Sequence, residues 1–193
     1  MINAVVLVSD DGNALQPILD SVFFKEILNF KLAAVVSSSS EAYALERASA
    51  AGIPTFIVDR ELFPNNASFS LALLNKLNDL DADLVVLAGF LPELSQSIAG
   101  AYSGKIIGTK AALYPAFADA DDETAVSNAL SLGLKYTGAT AYLANDFGGV
   151  GKIYGQKPVE IEKDETNETL SRKLMEVSRE LGLEAIKSFC RGN

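Results

Sequence analysis

Asp83-Leu84-Val85-Val86-Leu87-Ala88-Gly89-Phe90-Leu91 is the stretch on which the fold turns. A strand covered on one face alternates apolar and polar residues. Leu84 to Ala88 is apolar throughout, which points to a strand buried on both faces, as in a parallel sheet with helices on either side. Gly89 then permits a sharp exit at the carboxyl end of that strand. Upstream, similar runs recur at Ala4–Val8, Leu32–Val36 and Thr55–Val58. Between them lie helical patterns. Leu15, Ile18, Leu19, Val22 and Phe23 fall at helical spacing. Ser38-Ser39-Ser40-Glu41 reads as a capping box opening a helix over 42–51, stopped by Gly52 and Pro54. Asn66 or Ser68 is expected to cap a helix running to Leu80. Four strand–helix units in a row predict an α/β domain with a mainly parallel sheet and right-handed connections. Ligands of such sheets sit beyond the carboxyl ends of the strands, here after Val8, Val36, Val58 and Ala88.

Downstream the pattern is less regular. Lys105–Gly108 reads as a short strand. Asp119 to Glu123 is acidic and leads into a helix ending near Gly133. Tyr136–Leu143 and Ile153–Glu162 read as two strands, the second broken by Pro158, joined by the turn Gly148-Gly149-Val150-Gly151. Strand–turn–strand implies an antiparallel pair. A last helix over about 167–189 carries Leu170, Leu174, Val177, Leu181, Ala185 and Ile186 on one face. The chain shows no internal repeat and no linker, so residues 1–193 are expected to form a single domain.

Composition narrows the chemistry. The chain has 193 residues, no histidine and one cysteine, and its 16 basic against 25 acidic side chains give a net charge of −9. Without an imidazole, Ser-His-Asp and Cys-His catalysis are excluded, and so are histidine-ligated metal sites. One cysteine closes no disulfide within the chain and builds no four-Cys metal site, so no metal is expected. Cys190 reads as a helix residue without a redox role. The acidic balance argues against nucleic acid as a partner. The longest apolar run, Leu84–Leu91, is too short to span a bilayer, and Ala4–Val8 lacks the basic flank of a signal peptide, so no membrane partner and a cytoplasmic location are expected.

Three segments have the makings of a site. Ser9-Asp10-Asp11-Gly12-Asn13-Ala14-Leu15-Gln16 lies between the first strand and first helix, where an α/β fold holds a phosphate on free N–H groups. Gly12 supplies a tight turn. Asp10 and Asp11, however, put negative charge beside an anion site and can satisfy the helix start themselves as caps. Ala88-Gly89-Phe90-Leu91-Pro92 either lines a pocket for a flat ligand or packs as core at a strand end. Asn145-Asp146-Phe147-Gly148-Gly149-Val150-Gly151 is either an anion cradle or a plain hairpin turn; no helix follows it, which favours the turn. Asp119, Asp121, Asp122 and Glu123 read as a solvated helix start rather than a cation site.

In this order, the segments resemble the phosphoribosylglycinamide formyltransferase family over nearly the whole chain. The family's opening Ser-Gly-x-Gly-[Ser/Thr]-Asn-Leu-Gln loop is matched by Ser9 to Gln16. Val36-Ser37-Ser38, then Ala44-Leu45-Glu46-Arg47-Ala48 and Ala51-Gly52-Ile53-Pro54, look like its second unit. Asp83–Leu91 with Leu94-Ser95 is the strongest match, and Thr137-Gly138-Ala139-Thr140 with Gln156 anchors the C-terminal half. The resemblance implies a three-layer, Rossmann-like α/β fold with a mainly parallel sheet and an antiparallel C-terminal part. It implies a phosphate loop at Asp10, Asp11, Gly12, Asn13 and Ala14, and a folate pocket at Leu87, Gly89, Phe90, Leu91 and Pro92. It also implies formyl transfer from 10-formyltetrahydrofolate to the amine of glycinamide ribonucleotide, with small-molecule partners and room for a homodimer.

The family's catalytic Asn, His and Asp fall on Gly108, Lys110 and Gly149. Gly108 has no amide to donate to a developing oxyanion, a loss on the order of 10²–10³ in rate. A lysine ammonium at its reference pKa accepts no proton. Gly149 has no carboxylate. Asp10 stands for the first glycine of the phosphate loop, Pro92 for an Arg, and Ser178 for a Glu of the last helix. The expectation is a family member without ordinary formyl transfer, acting as a small-molecule binder or a partner protein. The alternative is an active enzyme with a rearranged site in which Asp146 and Lys110 substitute for the missing groups.

Overall fold

The computed structural model describes residues 1–192. Its centre is a seven-stranded sheet in the order β3-β2-β1-β4-β5-β6-β7. The strands are β1 (Ile2–Val8), β2 (Phe30–Ser37), β3 (Thr55–Ile57), β4 (Leu84–Leu87), β5 (Ile106–Lys110), β6 (Tyr136–Ala144) and β7 (Val150–Glu160). The first five run parallel, and β6 and β7 are antiparallel additions. The helices are α1 (Gln16–Phe23), α2 (Ala44–Ala50), α3 (Asn66–Asp79), α4 (Gln96–Ala101), α5 (Asp122–Ser131) and α6 (Asn167–Arg191). The mainly parallel α/β architecture with an antiparallel C-terminal part is the one the apolar runs predict.

Helices cover both faces, which explains the unbroken apolar runs. Val6, Val8, Leu84 and Val86 pack with α1, α2 and α6, while Val5, Leu7 and Val85 pack with α3 and α4. Cys190 is buried in the first of these cores, as a structural helix residue.

Several local readings need correction. The Ser38–Glu41 stretch is no capping box: α2 begins after Tyr43, with no side-chain cap. The serines are used elsewhere. Ser37 Oγ accepts from the Ser39 N–H at 3.1 Å, and Ser38 Oγ meets Ser9 Oγ at 2.6 Å. The cap of α3 is Asn65, whose side chain accepts from the Ser68 N–H at 2.9 Å. Pro158 does not break β7, because β7 is the last strand of the sheet and its outer edge needs no N–H from the proline. The short helix α4, capped by Ser95, carries too few apolar positions to show a period in sequence.

Candidate functional site

Turn chemistry gathers loop ends at the carboxyl edge of the sheet. Ser9 Oγ, just after β1, accepts the Leu91 N–H at 2.9 Å and bonds Ser38 beyond β2. One hydroxyl thus joins the loops after three neighbouring strands. Gly12 adopts φ +77°, and a Cβ there would lie 2.8 Å from the Ala44 backbone, so only glycine lets the first loop lie against α2. From α2, Arg47 donates to the Asp11 carbonyl at 2.8 Å and to Gln16 at 3.0 Å.

The two aspartates do not cap α1, as the capping reading expects. The helix starts after Leu15 with Pro17 in its first turn and no side-chain cap. Instead Asp10 Oδ1 accepts the Gly12 N–H at 3.0 Å, and Asp11 Oδ1 accepts the Asn13 N–H at 2.9 Å. Asn13 Nδ2 also bonds the Asp11 carboxylate. These carboxylates fold back on their own loop and occupy donors that an anion would use.

Beside this loop lies a cavity of about 350 Å³. Its floor is the carboxyl end of β4 with Leu87, Gly89 and Leu91, and its walls come from α1, the start of α5 and one face of α6. Thr109 of β5 reaches into it, and Asp10, Asn13 and Ala14 close one end. Phe90 does not border it and packs with the core under α3 and α4, while Pro92 lies outside. Among its lining residues, Met175, Arg179 and Leu183 were not singled out in the sequence, and Asp122 and Glu123 were read there only as a solvated helix start. The acidic start of α5 and the apolar stripe of α6 were both visible in sequence. Their convergence was not, since it depends on how the two helices cross.

The Asp10 carboxyl lies against Gly89, and this desolvation pushes it above the ordinary 3.8, with Asp11's charge adding to the effect. Asp122 is exposed as a residue, with its carboxyl turned toward the Ala111 N–H, which donates to it at 2.8 Å. Desolvation of that carboxyl pushes it up from 3.8, against the lowering effects of the Ala111 N–H and of the nearby Lys110 charge. A carboxyl raised on folding binds more protons in the folded state, so its cost to stability appears as pH climbs above 3.8 and is complete above the raised value. Asp122→Asn keeps an acceptor for Ala111. By urea titration, the variant is expected to match the parent below about pH 3.8 and to be the more stable of the two at pH 7.

Gly108, Lys110 and Gly149 lie outside this cavity. Successive residues of a strand face opposite ways, so Thr109 points to α6 while Gly108 and Lys110 point to the other face. Gly108 is buried opposite Tyr142 of β6, and a Cβ on Gly108 would lie 2.8 Å from both Cζ and Oη of that ring. Burial and then the Asp122 charge push the Tyr142 phenol above 10.0, so it stays protonated at neutral pH. Lys110 Nζ is held by the Ala120 carbonyl. Gly149 is exposed in the β6–β7 hairpin, with open room beside its Cα.

Asp146 is exposed and bonds Ser103 Oγ, beyond α4. Lys110 pairs with Thr140, six residues earlier on β6, a separation of about 20 Å along an extended strand. The structure therefore does not bring Asp146 and Lys110 together. Thr140 has another task. Its Oγ1 donates to the Ala112 carbonyl at 2.7 Å and accepts from the Tyr114 N–H and Gln156 Nε2, both at 3.0 Å, pinning the segment after β5 to the sheet.

A family model described as "Formyl transferase" matches residues 2–186. The phosphoribosylglycinamide formyltransferase of Bacillus subtilis is 30% identical over 88% of this chain and 85% of that protein. The chain belongs to the phosphoribosylglycinamide formyltransferase family. The crystal structure of glycinamide ribonucleotide transformylase 1 from Symbiobacterium toebii superposes with a TM-score of 0.91 at 33% identity, covering 100% of this chain and 89% of that one. The trifunctional purine biosynthetic protein adenosine-3 of Bos taurus is 31% identical over 88% of this chain, which spans 16% of that longer protein. Family membership accounts for the fold.

Proposed function

We propose that this family member does not carry out formyl transfer to glycinamide ribonucleotide and instead binds a small molecule in the cavity beside the first loop. The observation that carries the reading is the Tyr142 ring lying where a side chain on Gly108 would have to stand. Formyl transfer creates an oxyanion and moves a proton off the attacking amine. A preorganised donor to that oxyanion supplies on the order of 10²–10³ in rate, and a positioned acid–base group a further 10²–10⁴. Here the aligned positions offer a glycine against a phenol ring, an ammonium engaged by a carbonyl, and an exposed glycine. These residues do not fit a reacting 10-formyl group.

The cavity supports the binding half of the reading. It is an open cleft bordered by α1, α5 and α6 over the sheet edge where α/β folds hold ligands, and its size suits a small organic molecule. Titration with a reduced folate is the direct test of whether the family's substrate site persists. Dissociation constants at least a hundredfold weaker than those of the Bacillus subtilis relative under the same conditions are expected. Equal affinity would contradict the reading.

A further inference from the structure

We propose that the cavity takes a compact, unphosphorylated ligand with an apolar body and a protonated amine. The proposal rests on the reading of this chain as a small-molecule binder and names the ligand class. The cavity is about 350 Å³, near the lower end of the roughly 300–1,000 Å³ typical of small-molecule sites. Most of its surface is apolar, contributed by residues such as Val86, Met175, Leu183 and Ile186.

Its polar groups are unevenly charged. Asp10 enters from the first loop, and Asp122 and Glu123 from the start of α5; Arg179 of α6 faces them, while α1 and the end of β4 bring no charge. Among the described residues Arg179 forms no ion pair within 4.0 Å. The three acids are exposed at the cavity mouth, and the Lys110 charge offsets that of Asp122, so the remaining excess of negative charge is that of Asp10 and Glu123 over Arg179. A phosphate would add to that excess. It would also find the Gly12 and Asn13 N–H groups already bonded to Asp10 and Asp11. A protonated amine instead neutralises the excess. It has an acceptor in the Asp10 carboxylate, whose Oδ1 holds the turn while Oδ2 lies against Gly89 at the cavity edge. Desolvation raises the Asp10 and Asp122 carboxyls, although Arg179 and Lys110 respectively act to lower them.

Three probes share one apolar body and differ in the head group: benzylamine, benzyl alcohol and benzyl phosphate. Each is titrated calorimetrically into the full chain at pH 7.5. The expected order is amine tighter than alcohol by at least tenfold, with no saturable binding of the phosphate. Asp10→Asn keeps an oxygen for the Gly12 N–H, so the loop is expected to hold and the melting temperature not to fall. In this variant the amine's advantage over the alcohol is expected to fall below threefold while the alcohol's affinity is unaltered. The proposal is overturned if the amine shows no saturable binding at millimolar concentration, if the phosphate binds as tightly as the amine, or if Asp10→Asn leaves the amine's advantage intact. Any of these leaves the absence of formyl transfer standing, since that reading is tested by folate titration and turnover and not by these probes.

Discussion

Gly108→Asn lowers the melting temperature by about 6–12 °C rather than repairing the site, since a loss of about 3 kcal/mol shifts a domain of this size by roughly 2–4 °C per kcal/mol. Two costs make up the loss. The new Cβ would stand 2.8 Å from Cζ and Oη of Tyr142, and forcing extra atoms into packed space costs about 1–3 kcal/mol. The amide would also have to be accommodated in a buried position beside the Tyr142 hydroxyl, and a poorly paired amide there costs about 1–3 kcal/mol. Tyr142→Ala alone is expected to cost about 3 kcal/mol through lost packing. In the double variant the ring is gone and the Asn side chain enters the space it leaves. The two losses should therefore fall short of their sum by about 1–3 kcal/mol, measured by denaturant titration as a double-mutant cycle. Additivity within about 0.5 kcal/mol would mean that ring and glycine are not coupled.

Gly138→Ala is the second large effect. Gly138 is buried on β6 opposite Pro158, and a Cβ there would lie 2.3 Å from the Lys157 carbonyl oxygen and 2.6 Å from Leu113 Cδ2. Leu113 can turn aside. The carbonyl belongs to the backbone of β7 and moves only if the strand moves. An expected loss of about 3 kcal/mol follows from that strain, again seen as a melting temperature lower by about 6–12 °C. Gly149→Ala is the useful contrast, because a Cβ there meets nothing closer than Asn145 Nδ2 at 3.5 Å, and a change within about 0.5 kcal/mol is expected.

The contrast between Gly138 and Gly149 shows what was legible in the sequence and what was not. Apolar runs such as Ala4–Val8 and Leu84–Ala88 announced buried parallel strands, because continuous hydrophobicity has one economical explanation in an α/β domain. The hairpin and α6 were legible for similar reasons: glycines at a turn, and leucines at helical spacing. What stayed hidden depends on register and crossing. That Tyr142 covers Gly108 requires the antiparallel pairing of β5 with β6, and the pairing is a property of two segments more than thirty residues apart. The Asp10–Gly89 approach requires two parallel neighbours, β1 and β4, to end together. Local pattern also misled at Ser38–Glu41, where hydroxyls that suit a capping box tie loops instead, and at Pro158, where an edge position removes the proline's usual penalty.

The most direct measurement is formyl transfer itself, with 10-formyltetrahydrofolate and glycinamide ribonucleotide, assayed beside the Bacillus subtilis relative at equal protein concentration. With the oxyanion donor and the acid–base groups absent, as proposed, the expected turnover lies at least about 10⁴-fold below that relative, allowing for the non-additivity of residues that act together. Turnover within tenfold of the relative would contradict the account.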